Sequence, residues 1–190
     1  TYYGDTTKIL SDIAEKVISI ESDKRLYDLA IKKFENSKKI NVINGESQNL
    51  LQDILKNESY KNLCLFLDAH TCLDHITNKL ISKNETLETP IMIELKIIES
   101  YIKKFNNVNI LIDDIRLFDG KTQNYPNINE IVDWARKNNS SWFIEHDIFI
   151  INHKADWVNL RTFYKIFYKH RIAKASFFLR IYTFIVVPFK

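Results

Sequence analysis

The chain of 190 residues has only two cysteines, three glycines and three prolines. Cys64 and Cys72 do not make a disulfide framework, and their spacing is not that of a zinc site. The few glycines and prolines exclude collagen-like, linker-like and low-complexity character. The chain begins with neither an initiator Met nor the basic and apolar regions of a signal peptide, so we expect that Thr1 is not the natural N-terminus. No run of about 18 apolar residues indicates a membrane span. Without a disulfide framework, the expected setting is reducing and cytoplasmic.

Charge is distributed unevenly along the chain. Residues 154–190 hold eight Lys and Arg side chains against one Asp, a net charge of +7, although the whole chain carries only +3. We therefore divide the sequence into a domain at 1–153 and a basic, aromatic extension at 154–190. The extension suits a peripheral membrane or protein contact, or alternatively an extra helix and strand packed on the domain. No nucleic-acid module is apparent, so no nucleic-acid partner is expected.

Short apolar runs alternate with longer segments of helical period. This order predicts an α/β fold whose mostly parallel, doubly wound sheet carries helices on both faces. Two apolar stretches split by Glu145-His146-Asp147 predict a C-terminal antiparallel hairpin over 142–152. The other predicted strands cover 17–21, 40–43, 63–67 and 108–112, and the predicted helices cover 5–14, 23–34, 47–55, about 90–102 and about 127–137, with Ser47 and Asn127 or Asn129 as candidate caps.

Polar residues follow four of these predicted strands. Ligands of doubly wound sheets bind beyond the carboxyl ends of the strands, where loops expose side chains and backbone donors. A carboxylate at Glu21 suits the two hydroxyls of a ribose, although a solvated acid at a strand end is the alternative. The four polar sets are Glu21-Ser22, Asn44-Gly45-Glu46-Ser47, Asp68-Ala69-His70 and Asp113-Asp114.

Three of these acids are candidates for a metal site. The ends of adjacent parallel strands lie about 5 Å apart, so Asp68, Asp113 and Asp114 could share a hard cation such as Mg²⁺. Alternatively, the two later acids only cap a turn. His70 could act as a general base, because imidazole titrates near neutrality, or it could be an ordinary loop histidine. Arg116 could bind an anionic substrate group or pair with the neighbouring acids.

Several motifs together resemble the class I S-adenosylmethionine-dependent methyltransferases over about residues 1–153. Thr1–Thr7 resembles the second half of their glycine-rich loop, Glu21 their ribose-binding acid, and Gly45-Glu46-Ser47 the segment beside the adenine. Three further strings resemble a poorly characterised bacterial branch, from which this chain departs at Thr71-Cys72-Leu73-Asp74-His75, where that branch has Ser-Gly-Gly. These strings are Phe66-Leu67-Asp68-Ala69-His70, Thr89-Pro90-Ile91 with Glu94-Leu95, and Ile112-Asp113-Asp114-Ile115-Arg116-Leu117-Phe118.

The resemblance implies a Rossmann-like sheet whose first strand is missing. That strand would lie between 17–21 and 63–67, so its loss would leave unpaired edges. The implied activity is O-methylation of a sugar, a glycan or another small molecule, assisted by Mg²⁺ at Asp68, Asp113 and Asp114, with Asp68 and His70 catalytic. The residues implied to bind S-adenosylmethionine are Tyr3, Gly4, Asp5, Thr6, Glu21, Ser22, Gly45, Glu46, Ser47 and Asp68.

Two other functions stay open from the sequence. A non-catalytic Rossmann-like module could dock a protein or a membrane surface through its basic extension. An NAD-dependent oxidoreductase would also use a ribose-binding acid, but the Gly-x-Gly-x-x-Gly turn that such enzymes carry is not visible.

Overall fold

The computed structural model describes residues 2–68, 72–73, 80–82, 89–122, 125–154 and 184–187. Over these residues the chain is a mixed α/β protein, as its alternating apolar pattern predicts. Among them, no helix combines the length and the apolar character needed to cross a bilayer. In chain order the elements are α1 (Asp5–Ile13), β1 (Val17–Glu21), α2 (Lys24–Phe34), β2 (Ile40–Asn44), α3 (Ser47–Asn57), β3 (Asn62–Leu67), β4 (Cys72–Leu73), β5 (Leu80–Ser82), α4 (Ile91–Tyr101), β6 (Asn107–Ile112), α5 (Ile128–Lys137), β7 (Ser141–Glu145), β8 (Ile148–His153) and β9 (Phe184–Val187), with short 3₁₀ turns at Ile102–Lys104 and Ile115–Leu117.

Seven of these strands form one sheet in the order β2-β1-β9-β3-β6-β8-β7. Strand β1 is parallel to β2, and β3 is parallel to β6. Strand β8 is antiparallel to both β6 and β7, which confirms the predicted hairpin. Five of the seven strands (β1, β2, β3, β6 and β7) therefore run in one direction, whereas β8 and β9 run in the other and form the antiparallel part. The two short strands β4 and β5 pair separately.

Strand β9 lies between β1 and β3 and is antiparallel to both. Ile185 is paired with Ser19 on one side, and Val186 is paired with Leu65 on the other. The expectation that β1 and β3 would have unpaired edges is therefore wrong. Strand β9 pairs with both of them, because a strand of either direction can satisfy the backbone donors and acceptors of its neighbours. This part of the extension belongs to the sheet; residues 155–183 and 188–190 lie outside the described residues.

Helices cover both faces of the sheet because the side chains of each strand alternate. On β1, Ile18 and Ile20 face the larger core, to which α3, α4 and α5 contribute Leu51, Leu95 and Ile131. The neighbouring residue Val17 faces the opposite side, where it packs in a second core that includes Leu10 of α1. Helix α2 packs Ala30 and Phe34 on Val42 of β2, on that same side of the sheet.

Helix starts follow the sequence closely, with one correction. Asn127 caps α5 in a capping box with Glu130, one of the two caps that the sequence allowed. Ser47 was predicted to cap α3, but it is the first helical residue, and Glu46 occupies the cap position in an extended conformation. The preceding Gly45 has φ 146°, a conformation that favours glycine, so the chain turns into the helix at Glu46 and not at Ser47.

Gly4 stands at the start of α1 with φ 74°, and a Cβ there would lie 2.7 Å from the Phe34 ring. We expect Gly4→Ala to lower the free energy of unfolding by about 2 kcal/mol, from left-handed strain and this contact. Chemical denaturation measures the change. In a Phe34→Leu background the same substitution should cost less, because the ring is gone. Equal costs in the two backgrounds would contradict the contact.

Candidate functional site

The strands β1, β2, β3 and β6 share one direction, so their carboxyl ends lie at one edge of the sheet. The predicted polar sets therefore meet there, as expected for a sheet of this kind. They form two regions, because β9 separates β1 from β3. Two strand spacings place the ends of β1 and β3 about 10 Å apart. A bound molecule would have to be extended to contact both regions.

The first region is built around Glu21, whose side chain is only 4% exposed. Its Oε2 accepts a hydrogen bond from the Tyr2 backbone N–H at 2.8 Å, and its Oε1 accepts one from the Asp23 N–H at 2.9 Å. Its backbone carbonyl accepts from the Gly45 N–H at 3.0 Å and from the Asn44 side-chain amide at 2.8 Å. The turn before α1, the end of β1 and the turn after β2 are thus joined at one carboxylate.

The other residues predicted to bind the cofactor from the turn before α1 have different surroundings. Tyr3 is 53% exposed. Asp5 forms an ion pair with Lys33 at 3.0 Å. Thr6 is buried, and its hydroxyl has no hydrogen-bond partner among the described residues. The Thr6 hydroxyl thus lies buried in the first turn of α1, whereas the Tyr3 side chain is exposed to solvent.

Around β2, the predicted residues bind mainly to their own neighbours. The Glu46 carboxylate accepts hydrogen bonds from the side chains of Gln48 and Asn49, each at 3.0 Å. Ser22 is exposed, and its carbonyl is 3.4 Å from the Asn44 amide. Ser47 is buried in the first turn of α3. Glu46 therefore stabilises the start of its helix.

The second region lies at the ends of β3 and β6, which pair in register from Asn62 and Asn107 to Leu67 and Ile112. The pairing continues one residue further, because the Asp113 N–H donates to the Leu67 carbonyl at 3.1 Å. Asp68 and Asp113 are therefore neighbours, and both are buried. They line a small cleft that is open to solvent. The residues around it are Leu67, Asp68, Thr89, Ile91, Glu94, Ile112, Asp113, Asp114, Phe118 and Tyr125.

Asp114 and Arg116 belong to an ion-pair network with Asp147. A terminal nitrogen of Arg116 lies 2.6 Å from the Asp114 carboxylate, and its other terminal nitrogen contacts the Asp147 carboxylate. The Arg116 backbone N–H also donates to the Asp147 carboxylate at 3.0 Å. These contacts confirm the ion pair that the sequence allowed for Arg116.

The carboxylates that cluster most closely differ from the predicted metal triad. Oxygens of Asp113, Asp114 and Asp147 lie within 4.8 Å of one another, whereas Asp68 is not in this group. Arg116 supplies positive charge to two of the three carboxylates. A divalent cation at this group would therefore have to compete with the Arg116 guanidinium for two of the three carboxylates.

Glu94 is a site residue to which the sequence assigned no role. It lies in the first turn of α4, is 1% exposed and lines the cleft. Neither carboxylate oxygen has a hydrogen-bond partner among the described residues. Burial raises the pKa of this carboxyl to about 7, while the nearby Ser47 hydroxyl lowers the pKa by less. The sequence feature that could have identified Glu94 is its position within the apolar stripe of Ile91, Leu95 and Ile98, where a carboxylate is unusual.

His70, predicted as the general base, lies outside the described residues, so that role stays a prediction. The substituted loop at 71–75 lies outside them as well, except for the backbone of Cys72 and Leu73. Asp68 is the one predicted catalytic residue that the structure describes, and it lies in the cleft wall.

No protein-family model matches the chain, and no curated protein matches its sequence. We therefore infer function from the arrangement of the strand ends.

Proposed function

We propose that the protein is a Rossmann-like S-adenosylmethionine-dependent methyltransferase that methylates a hydroxyl of a sugar or another small molecule. The observation that carries the proposal is the junction at Glu21. Tyr2, next to the Gly4 turn, donates to its carboxylate, and Gly45 donates to its carbonyl. A carboxyl group at this junction offers oxygen acceptors of the kind that vicinal ribose hydroxyls need. A buried acid between two glycine turns therefore suits the nucleoside part of the cofactor.

The architecture supports the same proposal. A mostly parallel sheet with helices on both faces positions its ligands at the carboxyl ends of its strands. The cleft at Asp68 and Asp113 lies at that edge, two strands away from Glu21. This separation suits a cofactor whose ribose binds at Glu21 while its reactive end points toward a methyl acceptor in the cleft. A cytoplasmic location is part of the proposal.

Little chemistry is required from the protein in such a reaction. S-adenosylmethionine supplies a methyl group already activated on a sulfonium, so most of the catalysis comes from positioning and from exclusion of water. The chain would orient the ribose at Glu21 and hold the acceptor in the cleft. A general base would take the acceptor's proton, and His70 or Asp68 is the candidate. The Glu21 junction and the cleft at the ends of β3 and β6 support the first two parts of the proposal.

Metal assistance is a separate part of the proposal. Mg²⁺ at Asp68, Asp113 and Asp114 would compete with the Arg116 guanidinium for Asp114. If a metal takes part, EDTA and Asp113→Asn should each slow turnover severely, and Mg²⁺ should restore the EDTA-treated enzyme. Unchanged turnover in both cases would remove the metal and leave the methyltransferase proposal standing.

Isothermal titration of the full-length protein with S-adenosylmethionine tests the cofactor. We expect saturable heat with one site per chain, and weaker binding of NAD⁺, which shares the adenosine but carries a pyrophosphate. An absence of heat at millimolar S-adenosylmethionine would contradict the proposal. Co-sedimentation with anionic liposomes in that case would favour the non-catalytic docking module.

A further inference from the structure

Strand β7 is the last strand at one side of the sheet, and among the described strands it pairs with β8 alone. Two of its large apolar side chains face solvent, because Trp142 is 37% exposed and Ile144 is 43% exposed. The strand contains no Lys or Pro, and its pairing with β8 runs without a bulge. Lys, Pro and bulges are the features that commonly keep an edge strand from pairing with another chain. The edge of β7 is therefore suited to a further strand.

The hairpin turn between β7 and β8 fixes which backbone groups of β7 point outward. Only two residues separate Glu145 from Ile148, so these residues pair through their own N–H and C=O groups. The direction of these groups alternates along an antiparallel pair, so Phe143 also bonds to β8. Trp142 and Ile144 therefore direct their N–H and C=O groups toward the open edge. Each of these two residues presents one donor and one acceptor there.

A second copy of the same strand matches this arrangement. In an antiparallel pair centred on Phe143, Trp142 of each copy lies opposite Ile144 of the other, so every outward donor meets an outward acceptor. A pair centred on Trp142 or on Ile144 would match only one of the two residues. The register centred on Phe143 is therefore the one in which β7 is complementary to itself.

The side chains of β7 support the same register. Trp142 stacks on Phe149 of the larger core, with ring centroids 5.2 Å apart and 15° between the planes. In the paired strands, Ile144 of the second copy would lie beside this exposed Trp142, and aromatic and β-branched side chains form favourable cross-strand pairs. Phe143 packs at the margin of the second core, so the two Phe143 rings would meet on the other face of the sheet. Both cores would thus continue across the edge.

The charges of α5 are complementary in this arrangement as well. Helix α5 contacts β7 and contributes Ile131 to the larger core, so it lies on the same face of the sheet as Trp142. A two-fold axis at Phe143 makes the α5 helices of the two copies run in opposite directions, so the first half of one lies toward the second half of the other. The exposed charges are acidic in the first half of α5 and basic in the second half: Glu130 and Asp133, then Arg136 and Lys137.

We propose that the protein forms a homodimer in which the two β7 strands pair antiparallel about Phe143, so that one sheet continues through both copies. The occupant of the edge is a second copy of this chain, because its strand supplies the matching backbone groups, the apolar partner of Trp142 and the opposite charges of α5. The dimer does not depend on the proposed methyltransferase activity, since β7 and β1 are separated by four other strands of the sheet.

Sedimentation equilibrium of the full chain measures the association. At micromolar concentration we expect twice the mass of one chain. Ile144→Lys places a charge on the edge of both copies, so it should raise the dissociation constant of the dimer at least about a hundredfold. Ile31→Lys is the matched control, because Ile31 is 41% exposed on α2, far from β7, and it should leave the dissociation constant unchanged. Both side chains are exposed, so both variants should fold.

Cysteine cross-linking tests the register. Directly opposite residues that do not share hydrogen bonds have Cα atoms about 4.5 Å apart, within the range of a disulfide, so Phe143→Cys should link two copies on mild oxidation. Leu29→Cys, at an exposed position on α2, should link no more than the unmodified protein does.

Three results would overturn the proposal. A monomer at every concentration would mean that the edge is closed or belongs to another partner. Equal weakening by Ile144→Lys and Ile31→Lys would mean that the copies associate elsewhere or without specificity. Equal cross-linking of Phe143→Cys and Leu29→Cys would contradict the two-fold axis at Phe143.

Discussion

Glu94→Gln is expected to stabilise the protein at about pH 8 by about 3 kcal/mol more than it does at pH 4.5. Burial raises the pKa of Glu94 from its ordinary value of 4.5 to about 7. Below pH 4.5 the carboxyl is protonated in both the folded and the unfolded state. Between these two values the unfolded state has released the proton while the folded state keeps it, so stability falls as the pH rises.

The size of this effect follows from the interval between the two pKa values. Each pH unit corresponds to about 1.4 kcal/mol, so the loss saturates near about 3 kcal/mol above pH 7. Glutamine does not titrate, and its stability should lack this component. Urea denaturation of both proteins across this pH range measures the difference. If the two stabilities run parallel with pH, Glu94 is not a buried, unpartnered carboxyl.

Loss of the Glu21 carboxylate should have the largest effect on cofactor binding. In Glu21→Ala, the acceptors of the Tyr2 and Asp23 backbone donors disappear together with the proposed partners of the ribose hydroxyls. Each hydrogen bond to a charged group contributes about 1.5 to 3 kcal/mol, so two lost ribose bonds should lower the affinity for S-adenosylmethionine at least about a hundredfold.

Calorimetric titration of matched variants tests the role of Glu21. Glu35→Ala makes the same change at an exposed position just after α2 and should retain the affinity of the unmodified protein. Glu21→Gln should bind more weakly than the unmodified protein but more tightly than Glu21→Ala, because its amide oxygen is still an acceptor. Equal affinities for Glu21→Ala and Glu35→Ala would refute a cofactor role for Glu21.

The Glu94 and Glu21 experiments address different regions of the same sheet edge. Glu21 is satisfied by backbone donors in the folded chain, whereas Glu94 lacks donors among the described residues. We therefore expect Glu21→Ala to be destabilising and Glu94→Gln to be stabilising near neutral pH. Opposite signs are expected because the Glu21 carboxylate accepts hydrogen bonds from the backbone, whereas burial disfavours the charged form of Glu94.

Local elements were predictable from the sequence because their causes are local. The short apolar run that begins at Val17 predicts a strand, and the observed strand covers Val17–Glu21 with both of its faces buried. Asn127 followed by Glu130 specifies a capping box within four residues. The cap of α3 was wrong by one residue: Glu46 occupies the cap position, and its carboxylate accepts hydrogen bonds from Gln48 and Asn49 that residue preferences at helix starts do not include.

Long-range contacts explain what the sequence did not predict. An apolar run such as Phe184–Val187 is compatible with several strand partners, and only the folded chain shows it between β1 and β3. Asp147 joins Asp113 and Asp114 because the hairpin of β7 and β8 returns to the end of β6. The sequence around Glu94 shows only that it lies in an apolar stripe. Its burial depends on how α4 packs against the rest of the fold, which the local sequence does not specify.

The sequence by itself determined an alternating α/β order, a hairpin at 142–152 and a set of acids at the ends of strands. Each of these follows from periodicity or from the residue that ends a run. Only the tertiary structure decided which acids are neighbours, which are already paired and which is left without a partner. Hydrogen bonds and burial are properties of contacts between distant segments, so Glu21, Arg116 and Glu94 acquire their distinct environments only when the sheet is assembled.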